Sequence, residues 1–124
     1  MYRNRTRKAG ITVAESPIWA ELEAFCLSFD KVEVAHPWDH TDFRVRGKTF
    51  VFTSGDRPVI TISAKPLPEN RDMFLQLPGV TVAAYVGRFG WLTAKITDQA
   101  SLEMAKDMIA ESYLSIAKKR RTTK

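Results

Sequence analysis

The sequence has one cysteine, two histidines and no apolar run approaching 18 residues in its 124 positions. Each scarcity excludes something. Cys26 alone can form neither an intramolecular disulfide nor a multi-cysteine zinc site, and it fits a reducing cytoplasm. Without a long apolar run a membrane-spanning helix is excluded. The basic N-terminus has no apolar stretch behind it, so no secretory signal is expected. What remains is ordinary: 44% hydrophobic and 27% charged residues, the balance of one globular domain with a single core.

Acids are missing from both ends. Arg3, Arg5, Arg7 and Lys8 stand in the first ten residues, and Lys118, Lys119, Arg120, Arg121 and Lys124 in the last seven. The stretch 11–117 is therefore net acidic although the whole chain is +5. Basicity belongs to the ends. Residues 1–14 are expected to be a flexible basic extension, 15–118 one domain, and 119–124 a basic tail. Such ends attract phosphate without regard to sequence.

Local patterns divide the middle into elements. Ser16-Pro17 suits a helix start, and Ile18, Leu22, Phe25, Cys26 and Phe29 follow at the spacing of one helical face. On that stripe Cys26 reads as a small buried hydrophobe. A strand is expected at Lys31–Ala35. Phe43, Val45, Phe50 and Phe52 then alternate with polar residues around Gly47-Lys48, the expected two-residue turn of a hairpin. Pairing Val45 with Phe50 and Phe43 with Phe52 puts all four on one face, with Arg44 and Arg46 opposite and Lys48 at the tip.

A turn at Gly55-Asp56-Arg57-Pro58 leads to a strand at Val59–Ala64. Pro66 and Pro68 open a short helix with Met73, Phe74 and Leu77 inside, stopped by Pro78-Gly79. Val82–Val86 and Trp91–Ile96 form a second hairpin around Gly87-Arg88-Phe89-Gly90. Ser101 caps a last helix striped by Leu102, Ala105, Ile109, Tyr113 and Ile116. This order predicts an α+β two-layer sandwich: an antiparallel sheet, helices on one face, the other face partly open.

Few residues suggest catalysis. His36-Pro37-Trp38-Asp39-His40-Thr41-Asp42 gathers two histidines and two carboxylates, a metal-binding or acid–base composition. Pro37 prevents a helix from aligning His36 with His40, and no distant Cys or His completes a site. The stretch is expected to be a polar loop with Trp38 packed down. No nucleophile elbow or phosphate loop is present, so neither an enzyme nor a cofactor is expected. Tyr113 reads as a core ring with its hydroxyl at the edge, and Trp91 as packing on the last helix. Arg44, Arg46, Lys48 and Arg88, with Phe89 as a stacking group, instead suggest a β-ribbon that contacts nucleic acid.

Four segments carry a family resemblance: Val34-Ala35-His36-Pro37-Trp38, Phe43-Arg44-Val45-Arg46-Gly47-Lys48-Thr49-Phe50-Val51, Gly87-Arg88-Phe89-Gly90-Trp91-Leu92, and Glu111-Ser112-Tyr113 with Ala117-Lys118-Lys119. In order and spacing they resemble the MmcQ/YjbR family over roughly residues 18–120. The resemblance implies a CyaY-like, frataxin-like sandwich with a double wing of β-hairpins. It also implies double-stranded DNA as a partner and no established enzymatic activity. Carried onto this chain, the wings are Arg44–Thr49 and Gly87–Gly90. Together with the basic tail, the expected contacts are Arg44, Arg46, Lys48, Arg88, Phe89, Lys118, Lys119, Arg120 and Arg121. Two alternatives stay open. One is a protein-interaction adaptor using the open sheet face or the acidic first helix (Glu15, Glu21, Glu23, Asp30). The other is a frataxin-like metal handler using those acids or His36 and His40.

Overall fold

Three helices and six strands account for about two thirds of the residues described by the computed structural model, 17–36, 40–54 and 60–117. In chain order they are α1 (Pro17–Leu27), β1 (Val32–Ala35), β2 (Thr41–Val45), β3 (Lys48–Ser54), β4 (Ile60–Ala64), α2 (Arg71–Leu75), β5 (Val80–Val82), β6 (Leu92–Ile96) and α3 (Gln99–Ala117). The strands form one antiparallel sheet in the order β1-β2-β3-β4-β6-β5. The helices lie on one side, so the α+β sandwich is as expected. Ser16, Pro37-Trp38-Asp39, the Gly55–Pro58 turn, Val59 and both basic ends lie outside the described residues.

The core is where the helical stripes meet the inner face of the sheet. Leu22 and Cys26 of α1 and Leu102, Ala105, Met108 and Ile109 of α3 cover Phe43, Val51, Ile62, Ala64, Leu92 and Ala94, all fully buried. Trp19, which the expected α1 stripe omits, is buried as well, whereas Met73, expected inside, is exposed. A five-residue α2 after a 3-10 turn has room for one inward side chain, and Phe74 takes it. Glu21 of α1 accepts a 2.6 Å bond from Lys106 of α3. That bond holds the Glu21 carboxyl below its ordinary pKa and the lysine above its own.

Cys26 is fully buried, and burial pushes its thiol up to about 12. The thiolate is the reactive form, so a disulfide-exchange reagent at pH 8 should leave native protein unmodified and label it stoichiometrically in denaturant. Rapid labelling of the native protein would contradict this burial.

Two expected boundaries shift. The first hairpin turns at Arg46-Gly47, not Gly47-Lys48: both residues have positive φ, 54° and 78°, and Val45 pairs with Lys48. Positive φ at both central positions is the turn whose twist suits a hairpin, and glycine takes the second without strain. The last helix starts at Gln99, two residues before the expected cap. Asp98 is the cap: its Oδ1 accepts from the Ser101 amide at 2.9 Å, while Ser101 Oγ accepts from the Asp98 amide at 3.0 Å. This reciprocal box satisfies two helix-end donors, and the bond from the Ser101 amide holds the Asp98 carboxyl below its usual range.

The hairpin register also differs. Asp42 pairs with Phe52 and Phe43 with Val51, but Arg44 pairs with Thr49, leaving Phe50 without a partner across the strand. The extra residue makes a β-bulge, which turns two consecutive side chains to the same side. Phe50 and Val51 are accordingly both fully buried, whereas Phe52 is half-buried on the other face beside Trp91, ring centroids 5.4 Å apart. Trp91 thus meets Phe52 on the outer face, away from the expected position on the last helix.

Candidate nucleic-acid interface

The register brings the two expected wings to one end of the sheet. Leu92 pairs with Ala64, Ala64 with Val51 and Val51 with Phe43. The Arg46-Gly47 turn and the connection between β5 and β6 therefore leave the sheet on the same side. Three strand spacings separate them, about 14 Å.

At the first of these places Arg46 does not lie on a strand face. It occupies the turn, is exposed, and its Nη1 donates a 2.9 Å bond to the carbonyl of Ala117. A guanidinium at the end of a helix satisfies an otherwise unpaired carbonyl and complements the negative end of the helix dipole. Ala117 is the last residue of α3, and Lys118-Lys119-Arg120-Arg121 follow it in the sequence. Lys48, first residue of β3, is exposed beside the turn.

Arg44 behaves differently. It lies on the outer face, where its Nη2 donates to Asp42 Oδ2 at 3.1 Å, and Thr49 Oγ1 donates to the same oxygen at 3.2 Å. Asp42 is buried, and His40 Nε2 lies 3.3 Å from its other oxygen. The pair leaves the buried Asp42 carboxylate with a cationic donor, while the Arg44 side chain stays about one-third exposed. Arg44 is thus engaged with Asp42 on the outer face.

The second place is not a tight hairpin. β5 ends at Val82 and β6 begins at Leu92, so the segment expected as strand Val82–Val86 is mostly loop, with a 3-10 turn at Gly87–Phe89. Gly90 closes that turn at φ 99°. The Arg88 guanidinium carbon stands 4.8 Å from the centroid of the Phe89 ring, and both residues are exposed. Tyr85, missed in the sequence because a strand was expected there, is 97% exposed.

Glu111-Ser112-Tyr113 binds the rest of the molecule together. Glu111 accepts from the Leu67 amide at 3.0 Å and from Asn70 Nδ2 at 2.7 Å. Ser112, fully buried, donates to the Phe50 carbonyl at 2.6 Å and accepts from the Lys65 amide at 2.9 Å. Tyr113 stacks on Phe29 at 4.6 Å, and its hydroxyl donates to the Asp30 carbonyl at 2.9 Å. The ring thus packs at the edge of the core, as expected, and the serine hydroxyl supplies the bulge with a partner. Among the described residues no group of three or more His, Cys, Asp or Glu side chains is placed to hold a metal ion. Glu21, one of the acids weighed for metal handling, is paired with Lys106. No helix of the described residues is long and apolar enough to cross a membrane.

Solved structures share this architecture. A crystal structure of the Deinococcus radiodurans protein DR2400, with a DUF419 domain, is 19% identical with a TM-score of 0.69, covering 81% of this chain and 78% of that one. A Pseudomonas syringae protein, a structural-genomics target, is 19% identical with a TM-score of 0.57, covering 75% of this chain and 93% of that one. At such identity the likeness establishes fold. No protein with a curated description matches the sequence. The YjbR family model matches residues 27–115, from the end of α1 to the last turns of α3. The chain belongs to the YjbR family, which is not known as an enzyme family.

Proposed function

We propose that this protein is a non-catalytic nucleic-acid-binding module that holds phosphates at one end of its sheet. The observation that carries the reading is the bond between Arg46 and the Ala117 carbonyl. It fixes an exposed cationic turn against the point where four consecutive bases begin. Arg46 and Lys48 lie at the sheet end where α3 stops, Arg88 is on the neighbouring loop, and Lys118–Arg121 follow Ala117 in the sequence. Arg44, bound to Asp42, is not among the contacts.

The charge along α3 supports the same reading. α3 carries Glu103, Asp107 and Glu111 against Lys106 alone, and the basic run follows it in the sequence, so charge changes sign along the chain at this point. Such an asymmetry of charge orients a protein toward a polyanion during encounter. Phosphate contacts alone confer little sequence preference.

Fluorescence polarisation with a 20-base-pair duplex at 50 and 200 mM salt tests the reading. Seven phosphate contacts should cost the full chain on the order of several thousandfold in affinity over that range. Removing residues 118–124 should flatten the salt dependence by up to about four logarithmic units per decade, and Lys48→Ala with Arg88→Ala by about two. The double substitution should weaken all sequences alike. Absence of binding at 50 mM, or binding indifferent to salt, would refute the proposal. Loss confined to the tail deletion would remove the sheet end from it.

A further inference from the structure

Resting on that reading, we infer that the loop between β5 and β6 stacks unpaired nucleobases on Tyr85 and Phe89, making single-stranded nucleic acid the preferred ligand. Tyr85 is 97% exposed and Phe89 55% exposed. Neither ring contributes appreciably to the core, so folding does not account for them. Tyr85 is moreover held at φ 65°, a left-handed backbone that a bulky residue adopts at an energetic cost. The loop displays a large aromatic ring where a glycine or asparagine would be easier to accommodate.

The charge of the loop selects the kind of partner. Residues 83–91 contain Arg88 and no acid. The Arg88 guanidinium already lies over the Phe89 ring at 4.8 Å, and the aliphatic chain of Lys65 runs beside Gly90. Exposed aromatic faces with cations alongside are the means by which proteins hold single strands: the cations follow the backbone, and every base offers a flat face. Paired bases inside a duplex offer no such face to a ring on a nine-residue loop. A protein partner would also accept exposed rings, but it would give the neighbouring Arg46 and Lys48 no row of phosphates to meet.

The test compares a 20-residue oligothymidylate with an abasic strand of the same length, which keeps the phosphates and lacks the bases. By fluorescence polarisation the full chain should bind oligothymidylate at least tenfold more tightly, within the range of about 5- to 150-fold expected when one stacked base is lost. Tyr85→Ala with Phe89→Ala should abolish that preference and leave affinity for the abasic strand within twofold. Tyr85→Phe with Phe89→Tyr should retain it. Equal binding of the two strands by the unaltered protein overturns base stacking while leaving phosphate binding intact. So does a preference that survives the double alanine substitution. Failure to bind either strand overturns base stacking, and the duplex titration then decides phosphate binding separately.

Discussion

Phe50→Ala is expected to cost about 4 kcal/mol, whereas Phe52→Ala, two positions along the same strand, should cost about 1–2 kcal/mol. Phe50 is fully buried and its ring meets Phe29 at 6.1 Å and Tyr113 at 5.3 Å, both edge-on. Truncation opens a cavity between the sheet, α1 and α3, and forfeits two edge-to-face contacts. Phe52 is half-buried on the outer face, against Trp91 and 6.3 Å from the His40 ring; water can fill what it leaves. With total stabilities of about 5–15 kcal/mol, the first variant approaches the threshold of folding and the second does not. Urea denaturation of the pair measures the difference. Equal costs would mean that simple alternation runs through the strand and that the bulge is absent.

Ser112→Ala should lower stability by about 2–3 kcal/mol, a large effect for the loss of one oxygen atom. The hydroxyl bridges the Phe50 carbonyl and the Lys65 amide. Removing it leaves a buried acceptor and a part-buried donor unsatisfied, each costing about 1–3 kcal/mol. The midpoint of thermal unfolding should fall by about 10–20 °C, at about 4–8 °C per kcal/mol for a small domain. Asp107→Ala, on the exposed side of the same helix, should change stability by less than about 0.5 kcal/mol. If the two substitutions behave alike, the serine does not support the bulge.

Much of the fold was legible because hydrophobic periodicity reports burial directly. The α1 stripe named Leu22 and Cys26 and the period of α3 named Leu102, Ala105 and Ile109, all fully buried. The bulge was illegible for the same reason. Phe43, Val45, Phe50 and Phe52 satisfy a regular two-residue period, and nothing in the pattern says that Val51 also turns inward. Arg46 looked like a strand residue because an arginine at positive φ is uncommon, whereas the pairing of Val45 with Lys48 puts it in the turn. Asp98 was passed over for Ser101, since both residues suit a helix start and reciprocal bonding uses both. At the candidate interface, sequence supplied the cations but not their engagements. Arg44 and Lys48 are alike as charges; a buried aspartate two positions from Arg44 separates their roles. The importance of Glu111-Ser112-Tyr113 came from family resemblance, and its physical content, five hydrogen bonds to backbone and side chains across the sheet end, required the fold.

The bond between Arg46 and Ala117 joins positions 71 residues apart. It holds the end of α3 against the β2–β3 turn. A dye, affinity handle or fusion partner joined directly after Ala117 would start beside the β2–β3 turn. In any titration such an attachment would crowd that corner and imitate a defect in binding. Probes attached to the ligand avoid this interference.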